Sequence, residues 1–371
     1  MRGRSRGSFK TVELEEVPMQ IVSALDVHRR QITYKTLELG SGEVRRGRVS
    51  PATRESVREW LERFAGLDAH FALEGTTGWR FVVEEIERAG HRAHLADPAE
   101  TAAKRGRKRR AKTDNADCDL QLKLLLAGEL PESWIPPAHI LELRTRVRMR
   151  KTLIDQRTAW QQRLQAQLFH QGIPTGLKPR TRAGRDALAK AELSAAGREL
   201  VALALRMLDT IDRELVPLDR DLRAFARRHP GCRALISNLY GVGAITATAI
   251  LAELGDARRF TSSDDAVRHS GLDVTVYQSD SKRAPGHLSH EGPELLRWAL
   301  FEAAQSAARQ TSPDHAYFLQ VKQRIDHNRA CLSVARKLCR RAHHILRQLG
   351  NDALAPLEEL PAEKEIVRPA A

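Results

Sequence analysis

Three short apolar-rich runs, at residues 20–27, 31–39 and 43–49, are separated by charged residues and by a Gly-Ser-Gly triplet, and they predict a three-stranded meander. A helical pattern follows over 51–64, then a strand at 70–73, a helix at 79–89 and a short strand at 91–95. The cationic run KRGRKRRAK at 104–112 cannot sit in a core and reads as a solvated loop or arm. It precedes a leucine-rich helix beginning near Thr113. Three prolines within 130–137 end this α/β segment, because proline removes a backbone donor and disfavours helix in the residue before it.

Strands first, then strand and helix in alternation, is the order of a ribonuclease-H-like domain, placed at 19–130. Beyond it the pattern is almost wholly helical. Ile140, Leu143, Val147, Ile154, Leu164 and Leu168 fall on one face, with Arg144, Arg146, Arg148, Arg150 and Lys151 between them. A basic, glycine-containing loop at 176–184 leads to a second long helix. There Val201, Leu205, Leu208, Ile211, Leu215, Leu218, Leu222 and Phe225 step by three or four residues, the pattern of a coiled-coil seam, with Pro217 expected to kink it. These helices, at 138–230, should pair with each other or with another protomer. A third helical segment, 231–350, is broken by a polar stretch at 273–292. The acidic, proline-containing tail, 351–371, is expected to be disordered. No internal repeat is evident.

A chain of 371 residues is long enough for two or three cores. Its 61 Lys and Arg against 47 Asp and Glu give a formal charge of +14, which points to a polyanionic partner, nucleic acid first. A membrane is the rival for any basic protein. No run of about 18 apolar residues is present, and the start, MRGRSRGSFK, lacks the apolar core of a signal peptide, so a soluble intracellular protein is expected. Cys118, Cys232, Cys331 and Cys339 form neither a CxxC pair nor a zinc-spaced cluster and read as reduced thiols.

Candidate chemistry sits at both ends. Asp26, in SALDVHRR, is a carboxylate within an apolar strand. Glu74 closes the strand HFALE just before Gly75, at the end of a sheet where α/β folds build sites. Asp114 and Asp117, in KTDNADCD, are three apart on one helix face. Together these four could hold Mg²⁺, a hard cation that prefers oxygen, and two such ions would polarise a phosphodiester. Asp114 and Asp117 could equally be favourable first-turn acids behind a Thr113 cap. Asp119 is a competing ligand, but five residues from Asp114 it points elsewhere.

The segment LYGVGAITATAILAEL at 239–254 reads as a helix-hairpin-helix, with Gly241 and Gly243 shaping a turn whose N–H groups could bind phosphate; a plain close-packed helical turn is the alternative. In YQSDSKRAPG, Ser279 and Ser281 lie beside Lys282 and Arg283, cations that would offset phosphate charge during attack by a serine. Serines in a polar loop are more often merely solvated.

From about residue 22 to 346 the chain resembles the insertion-sequence transposases with an Asp-Glu-Asp-Asp tetrad, the family described as bridge-RNA-guided recombinases. The tetrad motif matches Asp26 in ALDVH, Glu74 in LEGTTGW, and Asp114 with Asp117 in KTDNAD. The family's helix-hairpin-helix-like pattern matches GVGAITATAILAELGDARRF. Its serine motif matches GLDVTVYQSDSKRAPGHLSHEGPELLRWALFEAA. The resemblance implies a Holliday-junction-resolvase-like N-terminal domain, a helical coiled-coil region and a C-terminal transposase domain. It places the nucleophile on Ser279, two residues after Tyr277. Ser281 is the lesser candidate, since relatives commonly have glycine there, and His290-Glu291 stands where many have Lys-Arg. The implied mechanism is attack by Ser279 on DNA to give a phosphoserine link, with Mg²⁺, two ions per composite site, held by the tetrad. Tetramers, donor and target DNA, a structured non-coding guide RNA, and a bacterial cytoplasmic, nucleoid-associated setting are implied too. Lys104, Arg105, Arg107, Lys108, Arg109, Arg110 and Lys112, with the stretches 144–151 and 178–185, are then candidate nucleic-acid contacts whose affinity should fall steeply with salt.

Two other readings stand beside RNA-guided recombination. A metal-dependent junction resolvase or nuclease would use the tetrad to activate water and leave no covalent adduct. A non-catalytic nucleic-acid scaffold would need only the positive charge and the helical seam.

Overall fold

The computed structural model describes residues 19–105, 114–174, 176–275, 278–279, 282–283 and 286–357, with the backbone alone at 114, 275, 278, 279, 282 and 283. The chain divides into two compact units, Met1–Ile135 and Pro136–Ala371.

The first unit is built on a five-stranded sheet of β1 (Ile21–Val27), β2 (Ile32–Glu38), β3 (Val44–Val49), β4 (Ala69–Glu74) and β5 (Arg92–Ala96), ordered β3-β2-β1-β4-β5. The first three strands form the expected antiparallel meander, and β4 and β5 add parallel to β1. α1 (Arg54–Leu61), continued by a 3-10 turn at Glu62–Phe64, and α2 (Trp79–Arg88) supply the connections. α3 (Pro98–Ala103) and α4 (Asp114–Leu126) follow the last strand. This order is compatible with a ribonuclease-H-like domain.

Because side chains alternate across a strand, each central strand feeds two cores. On one face Ile21, Leu25, Val27, Phe71 and Leu73 pack with Trp60, Phe64, Val82 and Ile86. Trp60, Phe64 and Phe71 meet edge to face at 5.1–5.5 Å. On the other face Val22, Ala24, Ala72 and Ala96 pack with Cys118, Leu122 and Leu125 of α4. Three alanines there let the helix lie close to the strands. β3 is an edge strand whose three arginines stay exposed, which discourages further strand pairing. α1 and α2 are joined by the buried Glu85, whose carboxylate accepts from Arg54, Arg58 and Arg88. Those hydrogen bonds hold its acid form at about 2, well below the usual carboxylate value.

The second unit is mostly helical: α5 (Ala138–His170), α6 (Arg182–Lys190), α7 (Ala195–Arg228), α8 (Pro230–Asn238), α9 (Ala244–Leu254), α10 (Ser263–His269), α11 (Glu294–Ala304), α12 (His315–Arg324) and α13 (His327–Leu349). Four two-residue strands lie between α10 and α11: β6 (Val274–Thr275), β7 (Gln278–Ser279), β8 (Lys282–Arg283) and β9 (His287–Leu288). At one end of the long pair α5 and α7, Leu164, Leu168, Leu188, Val201 and Ala204 form a small core. Toward the other end Leu143, Val147, Leu218 and Leu222 join the large core of α8–α13. Of the seam expected on α7, Leu205 and Phe225 are half-buried and the rest buried, and Ala204 and Ala226 belong to the buried face too. α7 continues through Pro217. That proline is exposed, so the Arg213 carbonyl it leaves without a backbone donor faces water.

α9 is buried along nearly its whole length and forms the centre of this core. Its Glu253 is fully buried and takes a two-pronged bond from Arg148 at 2.7 and 2.8 Å, while Arg144 donates to the Ala252 carbonyl at 2.6 Å. The start of the acidic tail, expected to be disordered, is docked instead. A 3-10 turn at Gly350–Ala353 buries Ala353, and His139 and His229 donate to the carbonyls of Leu354 and Ala355 at 2.7 and 3.0 Å. Residues 358–371 lie outside the described residues. Among the described residues no helix is long and apolar enough to cross a membrane.

Candidate active site

β1 and β4 run side by side, with Leu25 level with Leu73. The next residues, Asp26 and Glu74, therefore stand level at the carboxyl ends of neighbouring strands, about 4.8 Å apart across the sheet, and share the face that α4 covers. α4 is seated by Cys118, Leu122 and Leu125, and the Cys118 thiol donates to the carbonyl of Thr33, the residue opposite Asp26 on β2. Asp117 immediately precedes Cys118, and Gln121 lies one turn further along the same helix face. The Gln121 side chain is 1 % exposed, its amide donates to Glu74, and its Oε1 has no partner.

The electrostatics record how close these groups are. Burial raises the Glu74 acid above its ordinary value, the Asp117 and Asp26 carboxylates raise it further, and the Arg105 guanidinium and the Gln121 amide oppose them. Cys118 is pushed up to about 12, chiefly by burial and then by the Asp26 charge. Asp26, 21 % exposed, meets the His28 ring at 3.1 Å. Asp117, 13 % exposed, accepts a hydrogen bond from Arg105. Asp119 is turned away, as its spacing suggested, toward Lys35 of β2 and Arg46 of β3.

Three of the four expected carboxylates thus converge, and the fourth position, Asp114, begins α4 one turn before Asp117, with its backbone alone described. Among the described residues no three His, Cys, Asp or Glu side chains form a group that could hold a metal ion as they stand. The donor chemistry nevertheless fits a hard cation: carboxylates near enough to act on one another's charge, one of them reluctant to ionise through burial and its neighbours, and a buried amide oxygen without a partner.

The segment carrying Ser279 lies in the second unit and is an antiparallel arm. β6 pairs with β9 at its base, and β7 with β8 beyond, with Ser279 opposite Lys282 and Gln278 opposite Arg283. Gly271 and Gly292 close the base. A Cβ on Gly271 would lie 2.2 Å from the Glu291 carbonyl oxygen, and one on Gly292 2.0 Å from that of His269. Arg297 and Arg336 donate to the carbonyls of Ser270 and Leu272. Tyr277 and Ser281 lie outside the described residues.

The turn between α8 and α9 contains Gly241, with φ +87°, and a Cβ there would lie 2.4 Å from the Ala303 carbonyl oxygen. The N–H groups of Val242 and Gly243 are already engaged, by the Leu239 carbonyl and the Thr246 hydroxyl. Any phosphate at this turn would meet the following N–H groups of α9 instead.

Several cations expected on nucleic acid are occupied internally. Arg150 pairs with Asp219, Lys151 with Asp155, Arg180 with Asp212 and Arg185 with Asp209, while Arg144 and Arg148 of α5 bind groups of α9. Most of these partners lie tens of residues away in the sequence, which a scan for basic clusters does not register. Lys104 reaches Glu129 at 3.4 Å. Arg107, Lys108, Arg109, Arg110 and Lys112 lie outside the described residues. Gln121, four residues after Asp117, is a member of the site that its spacing could have signalled, and Arg105, expected on nucleic acid, is the partner of Asp117 in the chain by itself.

Residues 24–171 match a transposase family model of the Asp-Glu-Asp-Asp, IS110 type, and residues 233–320 match the model of the IS116/IS110/IS902 transposase family. A Sinorhizobium fredii protein named as a transposase is 29 % identical over 342 residues, 82 % of this chain and 84 % of its own. A Pseudomonas aeruginosa protein named as a family 20 transposase is 24 % identical over 64 % of this chain and 71 % of its own. The transposase for insertion sequence element IS1111A of Coxiella burnetii is 26 % identical over 34 % of this chain and 35 % of its own.

Proposed function

The chain belongs to the IS110 family of transposases and is a DNA transposase, and from this we propose that it cuts and rejoins donor and target DNA through a serine-linked intermediate beside a carboxylate-held metal. What supports the reading is the level placement of Asp26 and Glu74 beneath the helix carrying Asp117, with the Glu74 acid raised first by burial and then by its two neighbours. Asp26, Glu74, Asp114 and Asp117 would hold Mg²⁺. The bound ion would polarise the phosphodiester and offset the charge gathered on it during attack. The Gln121 amide fixes the Glu74 carboxylate, and α4 sets Asp117 opposite it.

Ser279 is the nucleophile. Its hydroxyl oxygen bonds to phosphorus, the hydroxyl proton passes to a base, and a sugar oxygen leaves as a hydroxyl; attack by a strand-end hydroxyl on the phosphoserine reverses the step and joins the new strand. Lys282 and Arg283 offset the phosphate charge. A structured non-coding RNA selects donor and target by base pairing, with the cations of the basic run beyond Arg105 along its backbone. Residues 19–130 carry the carboxylates, the paired helices at 138–230 act as a coiled coil in a tetrameric assembly, and 231–350 carry the helix-hairpin-helix and the serine. The setting is the bacterial nucleoid.

The test is a denaturing gel of protein incubated with its flanking RNA, labelled donor and target DNA and Mg²⁺. A covalent protein–DNA band is expected, lost in Ser279→Ala and in Asp26→Asn. Cleavage without that band, persisting in Ser279→Ala, would replace this reading with a junction nuclease.

A further inference from the structure

We infer that Arg105 is a built-in counter-cation that competes with the divalent ion for Asp117, an inference that rests on the metal reading above. At the site three described carboxylates gather, Asp26, Glu74 and Asp117, with the His28 ring beside the first and the Arg105 guanidinium on the last. Arg105 also acts at a distance on Glu74, opposing the rise in its acid form. Its own side chain is one-third exposed, whereas Asp117 is 13 % exposed, so the bond points inward from the rim of the site.

Regular structure delivers this guanidinium. α3 begins at Asp97, whose carboxylate accepts from the N–H groups of Ala99 and Glu100 at 2.9 Å, and Thr101 is fully buried. The Arg105 N–H donates to the Ala102 carbonyl at 3.2 Å, which closes the last turn. Lys104, one residue earlier, goes the other way, to Glu129. The first two cations of the basic run therefore divide, one fastening the helix end and one entering the carboxylate cluster.

The guanidinium takes one oxygen of Asp117 and sets a positive charge beside the cluster, so it opposes a divalent ion there both at that oxygen and by charge repulsion. Without metal, Arg105 supplies positive charge to a cluster that would otherwise repel itself. Metal binding at Asp117 must work against that charge and that bond, and the metal affinity of the free protein is lowered by the competition. Replacing Arg105 therefore moves two quantities in opposite directions: the metal-free protein loses stability while its affinity for a divalent ion rises. An arginine with only a structural role would lower both or change neither.

The experiment uses the full-length protein without nucleic acid and Mn²⁺ as the probe, with free Mn²⁺ read by electron paramagnetic resonance and unfolding followed in EDTA. Arg105→Ala should bind Mn²⁺ about three- to tenfold more tightly, the range expected for losing one partly exposed charge-assisted bond. Its unfolding temperature in EDTA should fall, and Arg105→Lys should stay near the unaltered protein in both. Asp26→Asn and Asp117→Asn should weaken Mn²⁺ binding. Equal or weaker binding by Arg105→Ala, while the aspartate variants weaken it, would overturn the competition and leave the metal reading intact. Unchanged binding in the aspartate variants would overturn the metal reading and this inference with it.

Discussion

Replacing Glu74 by glutamine should make the metal-free protein more stable and the metal-loaded protein less responsive to metal. Glu74 stands level with Asp26 on the neighbouring strand and faces Asp117 on α4, and both neighbours raise its acid form. With carboxylates about 6 Å apart and an effective dielectric constant of about 40 for a half-buried rim, each pair repels by about 1.4 kcal/mol. The Arg105 guanidinium offsets roughly one such pair, so the net relief is on the order of 1 kcal/mol. In a unit of this size that is about 4 °C in unfolding temperature. The sign with pH follows from the direction of the shift. An acid raised above its unfolded value binds its proton more tightly in the folded chain, so its ionisation removes stability as pH climbs from the ordinary carboxylate value through the raised one. The gain from Glu74→Gln should be full near neutrality and vanish at acid pH, where Glu74 is itself neutral. Calorimetry in EDTA at both pH values measures this, and added Mg²⁺ should then stabilise the unaltered chain more than the variant. A variant less stable than the unaltered chain in EDTA near neutrality would refute the account of a self-repelling carboxylate cluster.

Two further substitutions probe the scaffold. Glu85→Gln leaves Arg54, Arg58 and Arg88 converging on a neutral group and should cost about 1–3 kcal/mol near neutrality, with exposed arginines limiting the loss; because the Glu85 acid is held at about 2, its contribution is complete above the ordinary carboxylate value near 4.5 and lost as pH falls toward 2, so a pH-independent difference in urea midpoints would contradict this. Gly241→Ala puts a Cβ at a φ of +87° and against the Ala303 carbonyl; a loss of more than about 1–3 kcal/mol is expected, read as a lower urea midpoint at unchanged slope, and an unaffected midpoint would show that the turn has room.

The first unit was readable because its signals are local. Alternating apolar positions and Gly-Ser-Gly punctuation set the meander, and each strand lies within a few residues of its expected bounds. Asp26 and Glu74 stood out as carboxylates in otherwise apolar strands. Their level pairing did not, since register depends on how β1 and β4 align across a crossover of about forty residues. Gln121 was passed over because a glutamine on a leucine-rich helix is ordinary until the buried face of that helix is known. In the second unit the apolar faces of α5 and α7 were visible, but the partners of their charges were not: Arg148 meets Glu253 from a helix more than a hundred residues away. The docked start of the acidic tail escaped notice because two histidines far back in the chain hold it through backbone carbonyls, which no composition reveals.

The arm that carries Ser279 leaves the helical core and returns to it at nearly one point, since Gly271 and Gly292 bring backbone against backbone with no side chain between. A segment attached in that way is a graft. Its length and composition can change while the two attachment points, and the helices α10 and α11 that bear them, keep their places. Away from Ser279, Lys282 and Arg283, a change of sequence in the arm therefore reaches the core only through its two attachment points.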